Sequence, residues 1–163
     1  MKKGVVIAAL VLLLLLSNKV SAAKFIANEE ALRLKSYQDS SGIWTIGYGT
    51  TRNPITGLPI KQGDTITEQQ ALEWLKIGTK SAEADVLRLV KVPLTSNMLA
   101  ALTSFVYNIG ATRFSKSTML RLLNAKAKKE IVAEEFGKYI YSAKKVSKGL
   151  INRRKREKEL FLS

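Results

Sequence analysis

The chain opens on an unbroken apolar block, GVVIAALVLLLLL from Gly4 to Leu16, and only after it does apolar and polar sequence alternate. From Phe25 to Arg33, FIANEEALR sets Phe25 and Ile26 apart from Leu32 and Leu34 with acids between them. That spacing predicts a short amphipathic helix with Glu30 near its end. SYQDSSG then has the composition of a turn, and IWTIGYGTT the β-branched, aromatic and Gly content of strands that bend or lie close to other groups. RNPITGLPIKQGD, with two Pro and two Gly, reads as loops or hairpin ends. Residues 34–63 therefore predict a small β-lobe.

The pattern changes at Thr67. Thr67 with Gln70 fits a capping box, and TEQQALEWLKIGTKSAEADVLRLV keeps a helical period until Pro93 closes it. A helix of that length is expected to bridge two lobes. Thr95 or Ser96 can cap the apolar helix NMLAALTSFVYNI, and Gly110 is placed to stop it. FSKSTMLRLLN, KKEIVAEEFGKYIY and KGLINRRKREKELFL read as further helices, and no internal repeat or low-complexity tract occurs. The expected architecture is α+β: a small β-lobe and a larger helical lobe joined by a long helix, with a cleft between them.

The N-terminal block has its own meaning. MKK is a basic start, and SNKVSA after the apolar run offers small residues at Ser21 and Ala22, the layout of a secretory signal peptide. As a helix the run would reach only about 20 Å, short of a hydrocarbon core of roughly 30 Å, so a permanent span is disfavoured. Two readings stand: a signal peptide cleaved after Ala22, or a signal anchor that holds the protein transiently at the inner membrane through residues 4–16 and then releases it. Both export residues 23–163, a single domain, through the Sec pathway to the periplasm or cell wall.

Composition limits the chemistry. The 163 residues suit one compact domain, expected to act as a monomer, and contain no Cys and no His. Disulfides, thiol nucleophiles, imidazole bases and ordinary zinc sites are therefore excluded, and acid–base work falls to carboxylates, Lys or Tyr; no metal and no cofactor is expected. The net charge is +14, and removal of Lys2, Lys3 and Lys19 with the leader leaves 24 basic residues against 13 acidic, or +11. An anionic partner follows, and export favours the bacterial envelope over nucleic acid.

Glycoside hydrolysis needs a protonated carboxyl to donate to the leaving oxygen and a second carboxylate to activate water or attack the sugar. Glu30 at a helix end and Asp39 in a turn can face each other across a cleft, with Thr45 on the following strand holding a water. Taken alone, a Glu and an Asp nine positions apart are most simply solvated surface. Trp44 beside Thr45 should point to the opposite strand face and join the core, as should Trp74 on the long helix. The basic run from Lys144 to Lys158 is most simply a solvated helix face, with envelope attraction as a secondary role.

The whole stretch EALRLKSYQDSSGIWTIGYG, however, closely resembles the catalytic signature of phage lysozymes in glycoside hydrolase family 24, the T-even and lambdoid type. That pattern is a Glu, eight residues, an Asp or Cys, five residues and a Thr, then a Gly-rich strand. SFVYNIGATRFSKSTMLRLLN and KGLINRRKREKELF are similar to the family's helical-lobe segment and closing Arg-rich helix, so the resemblance covers nearly all of the chain after residue 24. It implies the lysozyme-like fold and a muramidase cutting the β-1,4 bond from N-acetylmuramic acid to N-acetylglucosamine in peptidoglycan, for host cell lysis. It implies Glu30 as general acid, Asp39 as second carboxylate, Thr45 as water-positioning hydroxyl, Tyr107, Asn108 and Ser117 as saccharide-site positions, and Arg153 as the partner of the catalytic Glu. Thr50 departs from the pattern: the family usually has His after the strand GYG, so a His–carboxylate pair that stabilises the lobes of relatives should be absent.

Two rival functions remain at this level. A lytic transglycosylase would use the acid but yield anhydro ends without water attack. A cationic membrane-disrupting protein would act through KKVSKGLINRRKREKELF, although Glu157 and Glu159 interrupt its thin apolar face.

Overall fold

The computed structural model describes residues 21–163, so the apolar block and the basic start lie outside it, as does all of the leader but its last two residues. Helix α1 (Ala22–Glu29) leads into strand β1 (Arg33–Gln38), which pairs antiparallel with β2 (Trp44–Gly47). Helix α2 (Glu68–Leu89) runs from this β-lobe to the helical lobe of α3 (Ser96–Ile109), α4 (Ala111–Ser115), α5 (Thr118–Asn124), α6 (Lys129–Glu134) and α7 (Lys148–Leu162). A 3₁₀ turn, Glu135–Lys138, and a two-residue hairpin of β3 (Tyr141–Ser142) and β4 (Lys145–Val146) lie between α6 and α7.

Local signals set several boundaries. Thr67 Oγ1 accepts the Gln70 N–H at 3.2 Å and Gln70 Oε1 accepts the Thr67 N–H at 2.9 Å, the reciprocal bonds of a capping box. Thr95 Oγ1 accepts the Met98 N–H at the start of α3, and Gly110, at φ +84°, ends it in a conformation that other residues rarely adopt.

Three expected elements differ. The first helix lies earlier than Phe25–Arg33, because Arg33 already belongs to β1. FSKSTMLRLLN breaks after Ser115, where Ser117 starts a new helix by capping Leu120. KKEIVAEEFGKYIY is helical only to Lys138; its last residues enter the hairpin, whose turn puts Ala143 at φ +47° and Lys144 at φ +64°.

The main core lies in the helical lobe. Phe105 on α3 is fully buried, with its ring edge-to-face against Phe136 and Tyr139 at centroid distances of 5.1 and 4.8 Å. A smaller cluster of Ile46, Ile60 and Trp74, with Trp44 and Ile66 against it, joins the β-lobe to the first half of α2. Trp44 and Ile46 thus share one strand face, as period-two alternation requires, and Thr45 occupies the other.

Candidate active site

A cavity of about 680 Å³ opens between the lobes and is lined by Glu30 and Asp39 together with Asn108, Arg113, Tyr139 and Arg153. Six elements or their connections meet there. Glu30 is the C-cap residue of α1: its N–H still bonds to Ile26 O, but its backbone is extended, so the chain leaves the helix and turns into β1. The carboxylate is backed by Gly49 at the end of the strand turn. A Cβ built on Gly49 would lie 3.4 Å from Glu30 Cδ, and Gly49 itself sits at φ +82°.

Arg153 on α7 donates through Nη1 to Glu30 Oε1 and through Nε to Glu157 Oε1 at 3.1 Å, while its Nη2 reaches both Ser104 O and Ser104 Oγ at 3.3 Å. Burial disfavours its charge, but Glu157 and Glu30 outweigh that and hold the guanidinium above its ordinary range. Next to Glu30, Glu29 is paired from both oxygens with Arg156 at 2.6 Å. Of the two adjacent acids one is therefore clamped bidentately, and Glu30 keeps Oε2 without a hydrogen bond among the described residues.

Glu157 is 0% exposed. Its Oε1 accepts from Ser104 Oγ at 2.6 Å, Arg153 Nε and Arg154 Nη2, and Arg154 Nε lies 3.0 Å from Oε2. Arg154 is buried as well, over the Phe105 ring at 4.9 Å, and burial pulls its guanidinium down to about 10 against the attraction of Glu157. The run from Lys144 to Lys158 is a solvated helix face only in part: it begins in a hairpin and its lysines are exposed or half-buried, but Arg153, Arg154 and Glu157 are core groups. The pattern carried a signal for this, since 153, 154, 157 and 161 recur at helical spacing with Phe161 among them.

Asp39 sits in the turn between β1 and β2. Its Oδ1 accepts the N–H groups of Ser41 and Ile43 at 2.8 and 2.9 Å, the Asx geometry that pins such a turn, and Oδ2 has no hydrogen-bond partner among the described residues. Thr45 is 3% exposed and donates from Oγ1 to Ile43 O at 3.0 Å. That same carbonyl accepts the Asp39 N–H at 3.0 Å, so Ile43 links the two side chains. Across the mouth of the cavity, Ser40 Oγ lies 2.5 Å from Ser142 Oγ, joining the β-lobe turn to the β3–β4 hairpin.

The three saccharide candidates separate. Asn108 lines the cavity, and its Oδ1 accepts from Arg154 Nη2 at 3.0 Å, which leaves its amide N–H groups for a ligand. Tyr107 lines a different hollow of about 310 Å³ beyond Gly49, with its OH donating to Tyr48 O at 2.7 Å. Ser117 is buried at 8% exposure, accepts the Leu120 N–H as the N-cap of α5, and is not in the wall of the cavity. Among the described residues no cluster of three or more acids is placed to hold a metal ion.

The two lobes, the long connecting helix and the carboxylate-lined hollow between them define a lysozyme-type glycoside hydrolase that acts on peptidoglycan. The family model described as phage lysozyme matches residues 27–157, and the chain belongs to that family. The endolysin of Salmonella phage P22 is 41% identical over 150 residues, covering 90% of this chain and 97% of its own. The SAR-endolysin of Bacteriophage PS119 is 33% identical over 133 residues, covering 82% and 76%. Among solved structures, the endolysin from Escherichia coli O157:H7 phage FAHEc1 superposes with a TM-score of 0.77 at 39% identity, covering 90% of this chain and 92% of its own.

Proposed function

We propose that the protein hydrolyses the β-1,4 bond between N-acetylmuramic acid and N-acetylglucosamine, with Glu30 as general acid and Asp39 activating the attacking water. The observation that supports this most directly is that Glu30 and Asp39, nine positions apart and on different elements, line one cavity between the lobes. In the proposed step Glu30 gives its proton to the glycosidic oxygen as the C1–O bond breaks. Water adds to C1 from the opposite face, and its proton passes to Asp39. The two N–H bonds on Oδ1 fix the aspartate and leave Oδ2 to meet the water. Thr45 is buried outside the wall of the cavity and commits its proton to Ile43 O, so its hold on that water would pass through Ile43 and the Asp39 turn. Arg153 orients Glu30 from behind, and Asn108 offers amide N–H groups to the sugar. Tyr107 and Ser117 stand further back, and any part they take in the saccharide site passes through the backbone they hold.

The protein is proposed to reach its substrate by export through Gly4–Leu16, and the SAR-endolysin relatives favour the signal-anchor reading over a cleaved signal there. Its basic surface would favour the anionic envelope. The membrane-disrupting rival loses its main support, because α7 buries Arg153, Arg154, Glu157 and Phe161 in the core. The transglycosylase rival is separated by product chemistry. Mass spectrometry of released muropeptides should show reducing ends, and anhydro ends would overturn hydrolysis. NMR of the first-formed anomer tests the expected inversion; retention would instead make Asp39 a nucleophile.

A further inference from the structure

Gly78 lies in the middle of α2, where nothing in the helix calls for a glycine. A Cβ there would stand 2.9 Å from Cε2 of Tyr107, closer than carbon atoms pack, so the tyrosine ring occupies the space that any other residue at 78 would need. Seated in this notch, the ring carries its hydroxyl to Tyr48 O at 2.7 Å. Tyr48 and Thr50 flank Gly49, the residue whose α-carbon backs the Glu30 carboxylate. A continuous line of contact thus runs from α2 through a residue of α3 to the strand turn of the β-lobe and on to Glu30.

We propose that Tyr107 is a positioning residue, an interlobe strut keyed into the Gly78 notch that fixes the backbone wall against which Glu30 rests. This rests on the reading of Glu30 as the acid. The strut places no group on the sugar. Its loss therefore lets the wall and the carboxylate drift, and a misplacement on the order of 1 Å costs rate rather than binding.

The test uses Tyr107→Phe, Gly78→Ala and the double variant, assayed on soluble peptidoglycan fragments, with near-UV circular dichroism to confirm the fold. Tyr107→Phe removes only the hydroxyl, and Gly78→Ala displaces the ring. Each should lower kcat by roughly tenfold with KM held within about twofold. The double variant should be no slower than the slower single one, because both changes break the same support. A raised KM at unchanged kcat would make Tyr107 a sugar contact and overturn the strut; so would effects of the two changes that multiply. Hydrogen exchange provides a readout independent of turnover, since the Thr50 amide, bonded to Ile46 O at 2.9 Å, should exchange faster in Tyr107→Phe while amides of the helical lobe do not. If the parent lacks turnover but this local loosening occurs, the hydrolase reading fails and the strut stands. Unchanged exchange at Thr50 would remove the strut whatever the activity.

Discussion

Glu157 and Glu30 share one guanidinium: Arg153 bonds Glu30 through Nη1 and Glu157 through Nε, so a fully buried acid anchors the group that holds the candidate catalytic one. Arg153 and Arg154 bring two positive charges to this buried network, and Glu157 and Glu30 balance them. Removing Glu157 would leave two guanidinium groups against Glu30 alone. For Glu157→Gln the expected loss is about 3 kcal/mol, measured by urea unfolding, together with a fall in kcat as Arg153 shifts. Stability and turnover equal to the parent would show that Ser104 and the backbone suffice to hold Arg153.

Gly49 is constrained twice, by its left-handed φ and by the Glu30 carboxylate 3.4 Å from where a Cβ would stand. Gly49→Ala should cost about 1–2 kcal/mol of stability from the backbone alone. Because the methyl would also lie in van der Waals contact with the Glu30 carboxylate and cover it, turnover should fall by more than the loss of folded protein explains. Differential scanning calorimetry beside a turbidity assay separates the two effects. Turnover that follows the folded fraction would mean that Glu30 yields without consequence.

Tyr107 gives the protein an alkaline signature. Burial, then the negative Glu30, push its phenol from 10.0 up to about 12, with Thr50 and Arg153 pulling the other way. The fold favours the neutral phenol, so this stabilisation is complete below pH 10 and is lost as pH rises towards 12. Arg154, with its folded value lowered to about 10, gives the opposite slope over the same range in parent and variant alike. The parent-minus-variant difference for Tyr107→Phe isolates the phenol: unfolding free energies measured from pH 8 to 12 should converge as the pH rises. A gap that stays constant would contradict it. With Thr50 where the family usually has His, the lobe contact made here does not titrate near neutral pH.

Phe105 joins the core to the site, since its ring meets Phe114, Phe136 and Tyr139 and lies under Arg154. Phe105→Ala should cost about 3–5 kcal/mol by chemical denaturation. A loss below about 1 kcal/mol would mean that the helical lobe collapses into the space.

Much of this was legible along the chain where one local interaction decides the outcome. The Thr67–Gln70 box, the stop at Gly110 and the opposed faces of Trp44 and Thr45 each need only a few neighbouring residues. The β3–β4 hairpin was not legible, because its turn uses Ala143 and Lys144 in left-handed conformations that their side chains do not advertise. Glu157 reads as a surface acid until Ser104, 53 residues earlier, and two arginines are seen to enclose it. The candidate site divides in the same way. The signature spacing brought Glu30 and Asp39 to one hollow, whereas the placing of Tyr107 and Ser117 depended on Gly78 and on a helix break visible only once the elements are packed.

Turnover of purified cell wall by the parent and by Glu30→Gln, with equal folding confirmed by circular dichroism, bears most directly on the central claim. The substitution keeps size and hydrogen-bonding shape but removes the proton to be transferred, and a loss of at least about a hundredfold in kcat is expected. A Glu30→Gln protein that degrades the wall as fast as the parent would contradict the assignment of the acid.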